Sequence, residues 1–233
     1  MKDHDMSWSE FIKTKIWGGD PEDQPQFADG LAAVESEGQW GYIDEQGNMR
    51  IKPSYDYADA FVAGTAIVRR GWQNEARYGL IDCTGRIVIP VEATALEDVG
   101  EGRLAVTRRG KARLYDRRGK PLGTLAFDST GPEFKEGLIS ARAKGKWGYV
   151  NLSGQWEITP RFAKAAVFSE GLAAVKDGRH WGYINKKGDT VIQPRFENAG
   201  EFLEGQAFVD MKEDKEAPII DREGRVIGHD WWC

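Results

Sequence analysis

Gly145–Phe162 reads GKWGYVNLSGQWEITPRF, and Arg179–Phe196 reads RHWGYINKKGDTVIQPRF. A third version, GQWGYIDEQGNMRIKPSY, occupies Gly38–Tyr55. Each runs from Trp-Gly-Tyr through an Asp/Asn-x-x-Gly turn to Pro-x-Phe or a close variant. Recurrence of this kind dictates architecture, because one short repeat cannot bury its apolar side alone and must stack on its neighbours.

The turn returns six times, as DEQG at Asp44, DCTG at Asp82, DRRG at Asp116, NLSG at Asn151, NKKG at Asn185 and DREG at Asp221. Successive spacings are 38, 34, 35, 34 and 36 residues. A second series, Gly30, Gly64, Gly102, Gly137, Gly171 and Gly205, follows three residues behind Phe27, Phe61, Val99, Phe134, Phe168 and Phe202. Two independent series share one period, so six repeats begin near residues 27, 61, 99, 134, 168 and 202.

Within a repeat the glycine precedes an apolar run such as LAAV (Leu172–Val175), which suits a strand buried on both sides. WGY forms a second strand, and a segment such as DTVIQP forms a third. Asp or Asn at the head of the turn accepts hydrogen bonds from the backbone ahead of it, and glycine at its end supplies positive φ. Proline at Pro53, Pro90, Pro160 and Pro194 marks where ladder pairing stops. Alternation places Trp147 and Tyr149 on one face and Gly148 on the other. The triplet therefore reads as a structural spacer that fills the gap between repeats, rather than as a ligand site presented three times.

KWGYVNLSG, HWGYINKKG, the following I-x-P-x-F/Y and the F-x-E-G-L-A-x-V lead-in resemble the bacterial WG-repeat family. The resemblance covers roughly residues 27 to 233. It implies tandem β-repeats and no particular chemistry. The expected fold is all-β: six tandem repeats of about 34 residues with about three short strands each, in one domain over 27–233. A curved solenoid is expected, with a six-unit propeller-like ring as the alternative. Propeller blades generally need about 40 residues or more for four strands. Here a fourth strand fits only if the D-x-A-x-x-F segment is extended. Residues 1–26 are expected to form a short helix and linker, a candidate cap for the array: Ser7-Trp8-Ser9-Glu10 has a capping-box pattern, and Gly18-Gly19 is a stop.

Composition narrows the function classes. The 233 residues carry a net charge of -5, and two cysteines, Cys83 and Cys233, cannot build a disulfide framework. No export signal or membrane span is legible, so a cytoplasmic location is expected. Of three histidines, His180 occupies the strand slot of Lys146 and Gln39, and His229 with Cys233 in the HDWWC tail falls short of the ligands zinc takes. No phosphate-cradling glycine loop precedes a helix. The recurring acids Glu101, Glu136, Glu170 and Glu204 share one column and hence one local job. No catalytic, cofactor-binding or metal-binding residue is expected, and no enzyme activity.

The third repeat departs from the pattern. Its WGY slot reads Ala112-Arg113-Leu114-Tyr115, and Arg103, Arg108, Arg109, Lys111, Arg113, Arg117, Arg118 and Lys120 stand against the single acid Asp116. That local +7 contrasts with the first 60 residues, which hold five basic and thirteen acidic ones. These eight are the candidate partner-binding residues, facing either solvent alone or an acidic protein surface. An acidic chain without a reader motif argues against nucleic acid. The expected function is a protein-binding repeat protein, such as an inhibitor or immunity protein masking a toxin or effector. The alternatives are a carbohydrate or cell-envelope binder using exposed aromatics, Trp156, Trp231 and Trp232 among them, and, less favoured, a hydrolase with a groove or channel site.

Overall fold

The computed structural model describes residues 25–211 and 217–230, with the side chains of all but the last two. The expected N-terminal helix lies outside the described residues, as do residues 212–216 and Trp231, Trp232 and Cys233 of the tail. The chain divides into two compact units. One comprises Met1–Leu96, Val106–Arg109 and Arg117–Lys120; the other comprises Glu97–Ala105, Gly110–Asp116 and Pro121–Cys233.

The described residues form six small antiparallel sheets and no α-helix. In the first unit β1 (Leu31–Ser36), β2 (Gln39–Asp44) and β3 (Met49–Tyr55) form a three-stranded sheet in chain order. Next come β4 (Tyr57–Ala58), β5 (Thr65–Arg70), β6 (Arg77–Asp82) and β7 (Ile87–Ala93), also in order. A third sheet, β8 (Ala95–Asp98), β9 (Arg103–Arg108) and β10 (Lys111–Asp116), draws its residues from both units. The second unit holds two complete four-stranded sheets: β11 (Ser129–Thr130), β12 (Leu138–Ala143), β13 (Lys146–Asn151) and β14 (Trp156–Phe162), then β15 (Lys164–Ser169), β16 (Leu172–Asp177), β17 (His180–Asn185) and β18 (Thr190–Phe196). It ends with β19 (Asn198–Ala199), β20 (Ala207–Asp210), β21 (Ala217–Ile220) and β22 (Val226–Asp230).

The expectation of about three strands per repeat needs correction. Four of the six sheets have four, because the D-x-A-x-x-F segment is extended after all. Its short strand joins the sheet that follows, as β4 does with β5 (Tyr57↔Arg69, Ala58↔Val68). After Pro-x-Phe the chain has therefore already crossed to the next sheet. A two-residue turn then leads into the apolar strand, with both residues at positive φ, for example Glu170 (+52°) and Gly171 (+78°). Double positive φ is the type I′ hairpin turn, whose twist matches that of the flanking strands.

The LAAV run of β16 is buried throughout because both faces are covered. Ala173 and Val175 of β16 join the cluster of Tyr149, Ile158 and Phe162 behind them. Leu172 and Ala174 join that of Phe196, Phe202 and Ile220 ahead. In each WGY triplet the tyrosine goes deepest. Tyr42, Tyr149 and Tyr183 are at most 1% exposed, while Trp40, Trp147 and Trp181 are half-buried. Each tyrosine donates its hydroxyl to a carbonyl of the next sheet's lead-in: Asp59 O at 2.7 Å, Ala166 O at 2.7 Å and Gly200 O at 3.0 Å. Each ring also meets that lead-in's phenylalanine edge-on, with centroids 4.7 Å from Phe61, 4.7 Å from Phe168 and 4.9 Å from Phe202. Burial pushes the three phenols well above the usual tyrosine range.

Glycine is required beside that tyrosine. The third strand bulges at its proline: Trp147 pairs with Phe162 but Tyr149 with Ile158, two residues of β13 against four of β14. The bulge brings β14 over Gly148, where a Cβ would stand 2.3 Å from Ile158 O and 2.7 Å from Pro160 N. Gly41 and Gly182 face the same geometry, each with a Cβ 2.5 Å from the equivalent isoleucine oxygen. One contact thus explains two signatures of the repeat, the Gly of WGY and the Pro of Pro-x-Phe.

Gly148→Ala is expected to destabilise the protein by roughly 1–3 kcal/mol, the range for forced overpacking. Tyr149→Phe, which strands the buried Ala166 carbonyl, is expected to cost about 1–3 kcal/mol. Urea unfolding midpoints measure both; a Gly148→Ala protein as stable as wild type would refute the bulge contact.

Candidate interaction surface

The acidic column does have a single job. Asp29 Oδ2 accepts the N–H of Gly64 at 2.7 Å, Glu101 Oε1 that of Gly137 at 3.0 Å, and Glu170 Oε2 that of Gly205 at 2.9 Å. Glu136 takes Gly171 N–H with both oxygens, at 3.1 and 3.2 Å. Each carboxylate thus caps the glycine turn of the following repeat, 35 or 36 residues on. Lys186 Nζ lies 2.9 Å from Glu136 Oε2. Partial burial works against ionising Glu136, but Lys186 and the Gly171 N–H outweigh it and hold the carboxyl below its usual range. The Asx turns are equally regular: Asp82 Oδ1 accepts the N–H of Thr84 and of Arg86, both at 3.0 Å, and Asn185 Oδ1 those of Lys187 and Asp189. The carboxylates tie one repeat to the next, and the Asx side chains hold each turn.

The eight basic residues of the third repeat do not form one patch. Strand β9 runs about 3.3 Å per residue, so Arg103 at its start and Arg108 at its end lie on the order of 17 Å apart. Arg117, Arg118 and Lys120 return to the Arg103 end in the turn beyond β10, while Arg109 and Lys111 stay at the hairpin tip with Arg108. Exposed Arg113 sits between the two ends. Several are already engaged. Arg103 donates to Leu152 O (3.2 Å) and Glu101 O (3.0 Å), and Arg117 to Val62 O and Thr65 Oγ1, both at 3.0 Å. Lys111 is paired with Asp128 at 2.5 Å. Arg108 Nη2 reaches Pro90 O at 3.5 Å while its Nε is buried without an acceptor. Arg118 and Lys120 are exposed but engaged as well.

A different basic surface emerges at the hairpin tips of the second unit. Antiparallel order brings the β12–β13 tip, the start of β15 and the β16–β17 tip to the same end of the strands. Arg142, Lys144, Lys146, Lys164 and Arg179 are exposed there, with Lys176 half-exposed. Lys164 and Lys176 are directly opposed across β15–β16. Like charges so placed destabilise a sheet, and no ion pair joins either to an acid among the described residues. The acids at this end include Asp128, held by Lys111, Glu197, 3.8 Å from His180, Asp177, and Asp210 opposite Asn198.

The family model for the WG containing repeat matches residues 40–71, 147–178 and 181–215. These three stretches are WG containing repeats. No curated protein sequence matches it. Among solved structures, apo AztD from Citrobacter koseri is similar at 12% identity over 88% of this chain and 72% of that one, with a TM-score of 0.49. Hsv2 from Kluyveromyces marxianus is 10% identical over 85% and 71%, TM-score 0.46, and a streptogramin B lyase 12% identical over 88% and 80%, TM-score 0.37. Likenesses of this size carry no argument about function.

The second WG repeat holds a feature that the repeat pattern hides. Its β5–β6 hairpin turns through Gly71–Ala76, six residues where the tips at Glu37–Gly38, Arg109–Gly110 and Lys144–Gly145 use two. Trp72, in that loop, is 62% exposed. The Arg69 guanidinium lies 4.6 Å from its ring centroid and 5.3 Å from that of Tyr57. Trp156 instead packs edge-on against buried Phe127, centroids 5.4 Å apart. Among the described residues no three acids, histidines or cysteines are grouped to hold a metal ion, and no helix is long and apolar enough to cross a membrane.

Hydrogen bonding from the Thr84 hydroxyl, then from backbone N–H groups and Arg86, lowers the Asp82 pKa to about 2. A depressed carboxylate stabilises the fold above its unfolded pKa of about 3.9, and that stability is lost as pH falls toward 2. Asp82→Asn keeps the acceptor, as Asn151 and Asn185 do naturally. It is expected to fold normally and to lose less stability than wild type between pH 4 and pH 2 in thermal unfolding; parallel curves would contradict this account.

Proposed function

We propose that this WG-repeat chain is a non-enzymatic binding protein whose partner is another protein with an acidic surface, in a cytoplasmic setting. One concrete form is an inhibitor or immunity protein that masks a toxin or effector. The observation that supports this reading best is the Lys164–Lys176 pair at the hairpin tips of the second unit. Two like charges in direct cross-strand register cost stability, and an arriving carboxylate relieves that cost. Arg142, Lys144, Lys146 and Arg179 on the neighbouring tips extend the field that would steer an acidic partner. Tips drawn from the fourth and fifth repeats thus carry this reading in place of the third-repeat run.

The test is a crosslinked pull-down from the native host with the full chain and with a Lys144→Glu, Lys146→Glu, Lys164→Glu, Arg179→Glu variant of confirmed fold. A protein recovered by wild type, lost with the variant and lost at high salt supports the reading. Identical recoveries, or none with wild type, sink it. Lys164→Glu alone is expected to raise stability by up to about 1 kcal/mol while weakening binding, and Lys164→Glu with Lys176→Glu to restore the repulsion. That opposite movement of stability and affinity is what a purely structural lysine pair would not show.

A further inference from the structure

The Trp72 loop is built rather than floppy, and it is built at a cost. Asp56 Oδ2 accepts the Gly71 N–H at 2.7 Å, anchoring one stem. A 3-10 turn over Gln73–Glu75 closes the loop, with Glu75 N–H to Trp72 O at 3.1 Å and Ala76 N–H to Gln73 O at 3.2 Å. Gly71, at φ +80°, is obligatory: a Cβ there would stand 2.6 Å from Glu75 O. Gln73 takes φ +49°, a conformation that non-glycine residues adopt only under constraint.

A second cost falls on Arg69. Its guanidinium is clamped between the Tyr57 and Trp72 rings, its Nε is buried with no acceptor, and its Nη2 makes only a long 3.4 Å contact with Asp56 O. The nearby carboxylates are committed elsewhere, Asp56 to Gly71 and Asp59 to the Tyr57 hydroxyl at 2.5 Å. Strain, an under-satisfied cation and a large exposed indole coincide at the one described tip that departs from the two-residue rule. The guanidinium lies against the indole, which stays 62% exposed.

We propose that this loop is the hot spot of a protein-binding site, taking from its partner an aromatic or large aliphatic side chain stacked on Trp72 and an adjacent carboxylate that pairs with Arg69. Trp, Tyr and Arg are the residues that dominate interface energies. A side chain already fixed in place loses little conformational freedom on binding. The short-handed guanidinium supplies the charge complementarity that selects an acidic neighbour. The proposal rests on the protein-binding reading above, but it names a separate surface in the first unit.

The experiment pans a displayed library of random twelve-residue peptides against the full chain. Enriched peptides are then titrated against wild type, Trp72→Ala, Trp72→Phe and Lys164→Glu, with 5-fluorotryptophan labelling to follow the Trp72 resonance. The expected result is enrichment of an aromatic or large aliphatic residue next to Asp or Glu. Affinity is expected to fall about 30-fold in Trp72→Ala, to be largely kept in Trp72→Phe and to be unchanged in Lys164→Glu. Peptides bound equally by Trp72→Ala, or no enrichment, overturn the proposal while leaving the basic tips untouched. Loss in Lys164→Glu alone assigns binding to the tips instead. Neutral oligosaccharides on a glycan array that bind wild type but not Trp72→Ala overturn it in favour of a sugar platform.

Discussion

A buried phenol that must reach across to the next sheet organises three of the six repeats. Tyr42, Tyr149 and Tyr183 bring a polar hydroxyl into an apolar layer, where an unpaired donor is costly. Each finds a backbone carbonyl 17 residues ahead, in or just after the strand that opens the following sheet. Where that strand sits is therefore fixed by the tyrosine before it. The edge-on phenylalanine beside the carbonyl sets spacing, and the glycine before the tyrosine lets the bulged third strand close over the sheet. Trp, the residue most conspicuous to the eye, is the least buried of the three and covers the rim of the same cluster.

The repeat is also stitched at its other end by charge. In four repeats a carboxylate in the type I′ glycine turn reaches the glycine N–H of the next repeat, as Glu136 does for Gly171 and Glu170 for Gly205. Basic side chains in the Asx turns add a second stitch, Lys186 to Glu136 O and Arg222 to Glu170 O, at 3.0 and 2.6 Å. Carboxylates and cations at this end are thereby consumed by the architecture. At the hairpin tips of the second unit the cations are not, and Lys164 faces Lys176 without an intervening acid. Function is sought where the molecule tolerates a local cost that the repeat does not demand, and the clamped Arg69 beside Trp72 meets the same criterion in the first unit.

The six-fold period, the all-β class, the Asx turns and the spacer role of WGY were all legible in the chain, because each depends on contacts within one hairpin or on one residue type at a fixed interval. The fourth strand was not. Tyr57–Ala58 and Asn198–Ala199 are two residues long, too short for any periodicity to declare them, and they are strands only because a neighbouring strand offers its edge. Trp72 went unremarked for a related reason. The 38-residue spacing from Asp44 to Asp82 shows extra length, but nothing local says whether an indole in a loop folds inward or is held out against a half-buried arginine.

The sequence by itself determined the repeat, its turns and its buried columns, since those follow from backbone preferences and alternation along single strands. Tertiary structure alone decided which charges share a surface. The run Arg103–Lys120 is contiguous in the chain, yet an antiparallel hairpin carries its middle to the tip and leaves its two ends at the other end of the strands, while Lys144, Lys164 and Arg179, from different segments, are delivered to one. Proximity along a strand pair is set by where the chain reverses. Charge is felt through space, so the surface that can meet a partner had to be read from the fold.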